Sequence, residues 1–361
     1  MSLKILHIID NLGLGGAQTV VKGIFEIQVS NNDIYLYTIR KTEIQTSINH
    51  KNIILDNSKN KYNFPILKLR DFIKKNDIQI LHCHLAKSQI IGALLKKIYF
   101  PKIKLVFHEH GEIFENGKIY PFLMNLFKNI VDIYIAVSKA TKKIILEKTN
   151  YNPEKIKILY NFVDLDKFKK IGDINIKKER KKYNLNNDDI VIGFASRLNK
   201  SKGYIDFLES ANKLIKKGYD YKFLIAGDGG DKDKIIEYIR KNNLSKNIKL
   251  IGYVKDMTAF YNTINCFVFP SHRESLGITG IEANACACPV VASNIDGLNE
   301  IMIDNKNAIL FEKQNTKELA ESIEKIIGNL EIKNSLIKNG LTEVKKYSLK
   351  KYIINLNKIY E

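Results

Sequence analysis

Short apolar runs alternate with amphipathic stretches along the first half of this 361-residue chain. An apolar run of about four to eight residues between turns predicts a buried strand, and apolar residues spaced by three and four predict a helix. We expect strands at Lys4–Ile9, Ile34–Ile39, Ile53–Leu55, Ile80–Cys83, Lys104–Phe107, Ile133–Val137 and Lys157–Leu159. We expect helices from Gln18 to Val29 and at Pro65–Lys75, Ala86–Phe100, Tyr120–Val131 and Lys139–Thr149. This alternation predicts a doubly wound parallel sheet, which binds ligands beyond the carboxyl ends of its strands.

The polar, basic stretch at 165–189 is typical of a linker with a charged helix. After it, apolar runs and amphipathic stretches alternate a second time. The expected strands here are Ile190–Ala195, Tyr221–Ala226, Ile248–Ile251, Cys266–Phe269, Pro289–Ala292 and Ala308–Phe311. The expected helices include Met257–Ile264, Thr316–Ile327, Glu331–Lys345 and Leu349–Tyr360. The length favours two domains. We place them at 1–164 and 190–341, with 342–361 as a final helical segment.

The stretch from Asn265 to Glu300 contains the residues that most clearly indicate a small-molecule binding site. A strand there runs through a polar loop into a helix, so unpaired backbone N–H groups and the positive end of the helix dipole face a ligand. Ser275 and Gly277 are small enough for a phosphate to approach the backbone. Glu274 precedes the helix and Glu282 lies about one turn inside it. Each acid alone could be an ordinary helix-start or solvated residue, but the pair around a glycine loop favours a binding site.

Two cations follow another predicted strand end. Arg197 and Lys202 flank the loop that ends in Gly203. A guanidinium fork and an ammonium charge above a strand end could hold a pyrophosphate. Solvated loop charges are the alternative, and the strand context and Gly203 favour the pyrophosphate site.

Histidines follow two strands of the first half. His82 and His84 end one strand, and the segment from His108 through His110 ends the next. The H-E-H triplet lacks the helical i, i+4 spacing of a zinc motif, so we predict hydrogen bonds to a sugar or phosphate rather than metal binding. Alternation places His108 and His110 on one face, which ranks His110 only weakly above His108.

Composition limits the remaining choices. Lysine and arginine total 58 against 39 acids, a formal charge of +19, which attracts nucleic acid, phosphorylated substrates or an anionic membrane. A general bias toward Lys, Asn and Ile explains the charge equally well. Four cysteines without paired spacing, Cys286 and Cys288 among them, are expected to be buried thiols rather than metal ligands. No apolar run has the length of a membrane span and no signal-peptide pattern is present, so we expect a cytoplasmic protein.

The Asn265–Glu300 stretch resembles the E-x7-E signature of GT4, a family of retaining glycosyltransferases with the GT-B fold. The matching residues are Ser271, Glu274, Gly277, Glu282, Ala283, Pro289, Val290, Val291 and Ala292. Similar family segments are the Gly-Gly-Ala-Gln turn at 15–18, the Arg-Leu-x-x-x-Lys-Gly run at 197–203 and Gly-Tyr-Val at 252–254. Ser275 and Ala287 stand where the family usually has glycine; both are small, so we expect the geometry to survive.

The resemblance implies two Rossmann-like domains facing a central cleft, with the last helix crossing back to the first domain. It implies that Arg197 and Lys202 stabilise the leaving diphosphate, that Glu274 binds the donor sugar and that His110 contacts the sugar. The implied donor-binding residues are Gly15, Gly16, Tyr253, Ser275, Leu276, Gly277, Ile278 and Glu282, the last on the ribose. His84 and Glu112 are candidates for the acceptor side. The resemblance implies no metal and no cofactor.

The implied function is transfer of a hexose, with retention, from a UDP- or GDP-linked donor to a lipid-linked or surface-polysaccharide precursor, as in capsule or lipopolysaccharide synthesis. The expected location is the inner face of the bacterial cytoplasmic membrane, bound peripherally. A nucleotide-sugar binding protein without turnover remains an alternative. A nicotinamide oxidoreductase is disfavoured because Gly13, Gly15 and Gly16 do not fit G-x-G-x-x-G. Nucleic-acid binding has only the charge in its favour, without a recognisable module.

Overall fold

The chain divides into two compact units. The computed structural model describes residues 3–13, 15–30, 33–41, 50–56, 58–60, 62–111 and 119–361. One unit combines Met1–Phe162 with Leu349–Glu361, and the other is Val163–Ser348. The first unit is therefore made of two separate stretches of sequence, because its last helix follows the whole second unit in the chain. None of the described helices is long and apolar enough to cross a bilayer.

The first unit is a parallel sheet with the order β3-β2-β1-β4-β5-β6-β7. Its strands are β1 Ile5–Ile9, β2 Ile34–Thr38, β3 Ile53–Leu55, β4 Ile80–His84, β5 Lys104–Glu109, β6 Ile133–Ala136 and β7 Ile156–Ile158. Its helices up to β7 are α1 Gly16–Gln28, α2 Ile66–Asn76, α3 Ala86–Ile98, α4 Ile119–Phe127 and α5 Lys139–Lys148, with a 3-10 turn at Pro153–Lys155. The strand order reverses between β1 and β4, which is where doubly wound sheets bind ligands.

The two faces of this sheet differ in chemistry. One face is apolar and packs with α2, α3 and α4 around residues such as Leu81, Leu105 and Phe107. The other face carries histidines from β1, β4 and β5, because register partners in a parallel sheet point to the same side. Helix α1 and the final helix of the chain, Leu349–Tyr360, lie on this histidine face, as the hydrogen bonds described below show.

The second unit is a parallel sheet with the order β10-β9-β8-β11-β12-β13. Its strands are β8 Val191–Ala195, β9 Lys222–Ala226, β10 Ile248–Gly252, β11 Cys266–Phe269, β12 Val290–Asn294 and β13 Ile309–Glu312. Its helices are α6 Asp173–Lys182, α7 Tyr204–Lys216, α8 Lys232–Lys241, α9 Met257–Thr263, α10 Ile278–Ala285, α11 Thr316–Gly328 and α12 Leu330–Glu343. The 3-10 turns are Lys200–Lys202 and Val344–Tyr347, and the final helix becomes α13.

The core of the second unit contains three packed aromatic rings, one pair of them stacked and the other edge to face. Phe207 of α7 lies 5.4 Å from Phe194 of β8 and 5.8 Å from Phe223 of β9, measured between ring centroids. All three side chains are buried. Aromatic pairs at such distances add to the stabilisation that burial alone provides. This packing holds α7 against β8 and β9, and so it fixes the start of α7 at the carboxyl edge of the sheet.

The strands and helices expected from the sequence are present, with ends that shift by a few residues. The helix expected to reach Phe100 ends at Ile98, because Pro101 disfavours a helical conformation at the residue before it. Ser138 is confirmed as a helix N-cap, since its hydroxyl accepts from the backbone N–H of Thr141. The four cysteines are confirmed as buried free thiols.

Glycines let the loops at the carboxyl edge of the second sheet pack backbone against backbone. Gly203 has a φ of 71°, and a Cβ there would lie 1.8 Å from the carbonyl oxygen of Pro270. A Cβ on Gly297 would lie 2.5 Å from the carbonyl oxygen of Glu274. No side chain fits at either position, so these glycines are required by contact as well as by conformation. Ala287, where the GT4 resemblance expects glycine, adopts a φ of 58° and carries the strain itself.

We predict that Gly203→Ala destabilises the protein far more than Gly218→Ala. Both glycines have left-handed φ angles, of 71° and 96°, but a Cβ on Gly218 meets no atom within 4 Å. Gly218→Ala should cost about 1–2 kcal/mol from backbone strain alone. Gly203→Ala adds a clash with backbone and should cost at least about 2 kcal/mol more. Urea denaturation of both variants measures the difference, and equal costs would show that the Pro270 contact is unimportant.

Candidate functional site

The strand order of the second sheet reverses between β8 and β11. Ligands of doubly wound sheets bind at this reversal, beyond the carboxyl ends of the strands. The loop after β8 contains Arg197 and Lys202, and the loop after β11 contains Glu274 and Gly277. The two loops predicted to hold the ligand therefore leave neighbouring strands at the same edge.

Lys202 and Glu274 form an ion pair across these two loops. The Nζ atom of Lys202 lies 2.6 Å from Oε1 of Glu274, and both side chains are largely buried. The hydroxyl of Ser271 donates to the same carboxylate oxygen at 2.9 Å. Both of these contacts are to Oε1 of Glu274. The pair places one positive and one negative group within a single site.

A second contact joins the same two loops. Nε2 of His272 lies 2.7 Å from Oδ2 of Asp206, in the first turn of α7. The backbone N–H of His272 also donates to the carbonyl oxygen of Ser201 at 2.9 Å. These bonds position the β11 loop on the β8 loop and hold the Lys202–Glu274 pair in place. His272 and Asp206 could not be predicted from the sequence, because nothing in their spacing indicates that they meet.

Glu282 lies in α10 and is half-buried. The hydroxyl of Tyr261, from α9, donates to Oε2 of Glu282 at 3.0 Å. Burial raises the pKa of Glu282 to about 7, while the Tyr261 hydrogen bond and the charge of Lys167 act in the opposite direction. Glu282 is therefore a carboxylate that changes charge near neutral pH. Tyr261 and Lys167 were not found from the sequence.

The other residues predicted for this site differ in exposure. Leu276 is buried and serves packing, while Ser275 and Ile278 are half-buried. Gly277 has a φ of 92° and begins α10, where a Cβ would lie 2.6 Å from Leu298. Arg197 is exposed on its loop, and Tyr253, just beyond β10, is 58% exposed. The contacts with a donor that were predicted for these residues remain predictions.

The candidate residues predicted in the first unit are two glycines, four histidines at two strand ends, and Glu112. Gly15 and Gly16 are exposed at the start of α1, and a Cβ on Gly16 meets nothing within 4 Å. Gly16 is therefore not required by packing against the described residues. The lack of close neighbours is compatible with the predicted approach of a ligand to this turn.

The histidines meet inside the protein rather than standing at separate strand ends. The rings of His82 and His84 lie 4.2 Å apart between centroids, and those of His108 and His110 lie 4.1 Å apart. His7, which the sequence analysis passed over, joins them from β1. Both ring nitrogens of His84 are hydrogen-bonded to other histidines and the residue is fully buried, so it has no nitrogen left for an acceptor in this structure. The other acceptor-side candidate, Glu112, lies outside the described residues.

The geometry of the histidine cluster bears on the prediction that these histidines do not bind a metal. Two overlapping triplets, His7 with His82 and His84, and His84 with His108 and His110, each bring their nitrogens within 4.8 Å of one another. Neighbouring parallel strands bring the histidines of each triplet together. The prediction against a metal rested only on the missing i, i+4 spacing, which applies to histidines on one helix. Neutral imidazoles without a carboxylate could ligate a soft divalent cation, or they could hydrogen-bond to one another.

Models of known protein families match segments of both units. The model of the glycosyl transferases group 1 family matches residues 175–342, and the model of glycosyltransferase family 4 matches residues 31–167. The capsular polysaccharide biosynthesis glycosyltransferase CapM of Staphylococcus aureus is 30% identical over 290 residues, which cover 77% of this chain and 75% of CapM. The chain belongs to the group 1 glycosyltransferases. The residues of this glycosyltransferase that form the Lys202–Glu274 pair lie inside the segment matched by the first family model.

A further relative is similar in sequence to this glycosyltransferase, and solved structures show its fold. An Escherichia coli enzyme named UDP-Gal:alpha-D-GlcNAc-diphosphoundecaprenol alpha-1,3-galactosyltransferase is 27% identical over 297 residues, covering 78% of this chain and 76% of that enzyme. Anabaena HepE, solved in complex with UDP and glucose, superimposes with a TM-score of 0.85 at 18% identity, covering 99% of each chain. Sucrose-phosphate synthase from Thermosynechococcus elongatus gives 0.83, also at 18% identity, covering 99% of this chain and 98% of that one. The predicted GT-B fold, with two parallel-sheet α/β domains, is confirmed.

We predict that Tyr261→Phe raises the pKa of Glu282 further. The Tyr261 hydroxyl stabilises the charged carboxylate, so its removal should move the pKa upward from about 7, by about one pH unit or less. Titration of the glutamate side-chain carbons by NMR, with Glu282→Gln to assign the signal, measures the shift. Tyr219→Phe is the control, because that ring lies elsewhere in the unit and stacks on Tyr221.

The same carboxylate makes stability depend on pH. A folded-state pKa of about 7, against a usual value of 4.5, means that the folded protein holds this proton more tightly than the unfolded chain. The contribution of Glu282 to the free energy of unfolding is then largest below its usual pKa, and it declines as the pH rises toward and through 7. Glu282→Gln should remove that part of the pH dependence; an unchanged dependence would contradict the raised pKa.

Proposed function

We propose that the protein is a retaining glycosyltransferase that takes a sugar from a nucleotide-diphosphate sugar and transfers it to a hydroxyl of a lipid-linked or polysaccharide precursor. The observation that carries the proposal is the Lys202–Glu274 pair at the strand-order reversal of the second sheet. The cation suits a diphosphate and the carboxylate suits the hydroxyls of a sugar. The family membership supports transfer of a glycosyl group as the reaction.

The chemistry requires stabilisation of charge on the leaving group. When the bond between the anomeric carbon and the diphosphate breaks, negative charge grows on the phosphate and the sugar becomes cation-like. Preplaced cations stabilise that charge without having to reorganise. In the proposed site, Lys202 and Arg197 meet the diphosphate, and backbone N–H groups at the start of α10 add to them. Glu274 would then exchange part of its contact with Lys202 for the sugar hydroxyls.

Glu282 is proposed to bind the ribose of the donor. A charged carboxylate can accept hydrogen bonds from two neighbouring hydroxyls, whereas its protonated form accepts them less well. Because burial raises the pKa of Glu282 to about 7, ribose binding would favour loss of the proton. The Tyr261 hydroxyl donates to Oε2 of the same carboxylate, which orients it and leaves Oε1 for the ligand.

Retention and metal independence follow from the GT4 resemblance and remain part of the proposal. In this reading the leaving diphosphate itself assists attack on the same face of the sugar, and the positive charge near it comes from Arg197 and Lys202. Two measurements test these points. The anomeric configuration of the product, read by proton NMR, should match that of the donor, and activity should persist in the presence of EDTA.

The acceptor is proposed to be presented at an anionic membrane. The E. coli relative is named for a diphosphoundecaprenol acceptor and the S. aureus relative for capsular polysaccharide. The chain carries a formal charge of +19, which favours anionic lipid surfaces. Helix α4 adds an apolar surface, because Ile119, Phe122 and Leu126 are 76%, 63% and 59% exposed. Their i, i+3, i+7 spacing places them on one face of the helix, as in helices that lie in a membrane interface.

We predict that Lys202→Ala lowers kcat about 10²- to 10³-fold. The loss reflects one fewer cation on the leaving diphosphate. The matched control is Lys200→Ala, which removes an exposed lysine from the same 3-10 turn and should stay within about threefold of the wild type. Release of nucleoside diphosphate from a panel of UDP- and GDP-sugars, with a diphosphoundecaprenol-linked sugar as acceptor, measures the rates. Equal effects of both variants would contradict the role of Lys202.

Absence of turnover with every donor in the panel, together with tight binding of UDP or GDP, would favour the alternative of a nucleotide-sugar binding protein without activity. Binding is measured separately by the rise in melting temperature with each nucleotide. A protein that neither turns over nor binds any of these nucleotides would overturn the proposed function.

We predict that the double variant Phe122→Ser, Leu126→Ser reduces binding to liposomes that contain anionic lipid. The two substitutions remove apolar area that would otherwise insert between head groups. The expected result is at least about a tenfold loss in the fraction that floats with the vesicles. Leu330→Ser is the control, since Leu330 is 70% exposed but belongs to the second unit. If the wild type remains in the soluble fraction, α4 is not a membrane-binding helix.

A further inference from the structure

Five histidines of the first unit, from β1, β4 and the end of β5, form a network of two hydrogen-bonded branches whose rings pack against each other. Burial lowers the pKa of His7 to about 4 and that of His110 to about 3, and it lowers the pKa values of the other three well below their usual value. All five rings are therefore neutral at physiological pH. A neutral imidazole has one N–H and one lone pair, so each hydrogen bond in the network fixes the direction of the next.

The first branch starts at Gln28 in α1. The amide oxygen of Gln28 can only accept, so Nε2–H of His7 donates to it at 3.2 Å. Nδ1 of His7 is then an acceptor, and Nε2–H of His84 donates to it at 3.1 Å. By the same step, Nε2–H of His110 donates to Nδ1 of His84 at 3.1 Å. The branch ends at Nδ1 of His110, which carries a lone pair, is buried and has no hydrogen-bond partner among the residues that the structure describes.

The second branch starts at Tyr360 in α13. Its oxygen lies 2.6 Å from Nδ1 of His82, a distance typical of an O–H donor and shorter than the usual range for an N–H donor. Tyr360 therefore donates to His82. Nε2–H of His82 then donates to Nδ1 of His108 at 3.2 Å, and the branch ends at Nε2–H of His108, for which the described part of the chain offers no partner either.

Contacts with α13 determine the orientation of the Gln28 amide. Tyr360 contacts the side chain of Gln28, which links the second branch to the first. The amide nitrogen of Gln28 also donates to Oδ1 of Asn357 in α13, at 3.2 Å. With its nitrogen facing α13, the amide presents its oxygen to His7. A reversed amide would reverse every bond of the first branch.

We infer that Gln28 is a positioning residue that holds His110 as the Nε2–H tautomer, so that Nδ1 of His110 can only accept a hydrogen bond. A ligand that pairs with this atom must donate, as a sugar hydroxyl does. Phosphate, carboxylate and carbonyl oxygens have no proton to give. Of the two partners expected for His110 from the sequence, a sugar or a phosphate, this selects the sugar. The choice of a sugar rests on the proposed function, whereas the tautomer does not.

The tautomers can be read directly in the free protein. Long-range nitrogen–proton NMR spectra of protein labelled with ¹⁵N-histidine distinguish an N–H nitrogen from one with a lone pair. Single variants such as His110→Gln assign the signals. We expect His7, His84 and His110 to be neutral Nε2–H tautomers throughout the range from about pH 6 to 8. A protonated His110, or an Nδ1–H tautomer, would overturn the inference whether or not the protein transfers sugars.

The role of Gln28 is tested with two matched variants. Gln28→Leu removes the acceptor that orients His7, so the signals of His7, His84 and His110 should become mixtures of both tautomers. Gln89→Leu is the control, because Gln89 is equally buried in the first unit but bonds to Tyr120 and to the backbone of His108. It should leave the His110 tautomer unchanged. Loss of the single tautomer in both variants, or in neither, would overturn the assignment to Gln28.

Activity and metal addition give two further readouts. If His110 accepts from the donor sugar, Gln28→Leu should lower kcat/KM about three- to tenfold, the effect of one weakened hydrogen bond. Addition of Zn²⁺ to the labelled protein should leave the nitrogen signals in place, since the lone pairs of His7 and His84 are engaged. Stoichiometric zinc uptake that moves those signals would show a metal site and would contradict the network.

Discussion

The structure of the candidate site depends on how closely one loop backbone approaches another at the carboxyl edge of the second sheet. The loop after β8 reaches the loop after β11 where Gly203 packs on the carbonyl of Pro270. Four residues later in the β11 loop lies Glu274, and one residue before Gly203 lies Lys202. A side chain between the two backbones would separate the ammonium from the carboxylate. The ion pair is thus a consequence of main-chain packing, with the His272–Asp206 bond as its second support.

Much of the fold could be predicted because both sheets are parallel and their strands are short and apolar. Each such strand is followed by an amphipathic helix, and that alternation leaves few other architectures. Glu274 and Lys202 could be found in the same way, because residues that follow neighbouring parallel strands meet at one edge. Their separation of 72 positions in sequence did not matter. What the pattern could not give was the partner of each group: Tyr261 is an unremarkable helix residue until its hydroxyl is seen on Glu282.

The histidine network shows why contacts between residues far apart in the sequence could not be predicted. Its members come from β1, β4 and β5, and its polarity is set by α1 and α13. Register decides that His7 faces His82 and that His84 faces His108, and a shift of one residue would point these rings to the apolar face. Local spacing contains no information about that register. The sequence therefore indicated histidines at two strand ends, and the structure joined them to a glutamine and to a tyrosine hundreds of residues away.

The discontinuity of the first unit has a consequence for how the protein is made. Helix α13 is translated after the whole second unit, although it packs on the histidine face of the first. While the ribosome is still elongating the middle of the chain, that face has no Tyr360 and no Asn357 to cover it. The second unit, by contrast, is one continuous stretch and can close as soon as it emerges. Helix α13 can therefore join the first unit only after the second unit has been synthesised, and until then the histidine face lacks its contacts with Tyr360 and Asn357.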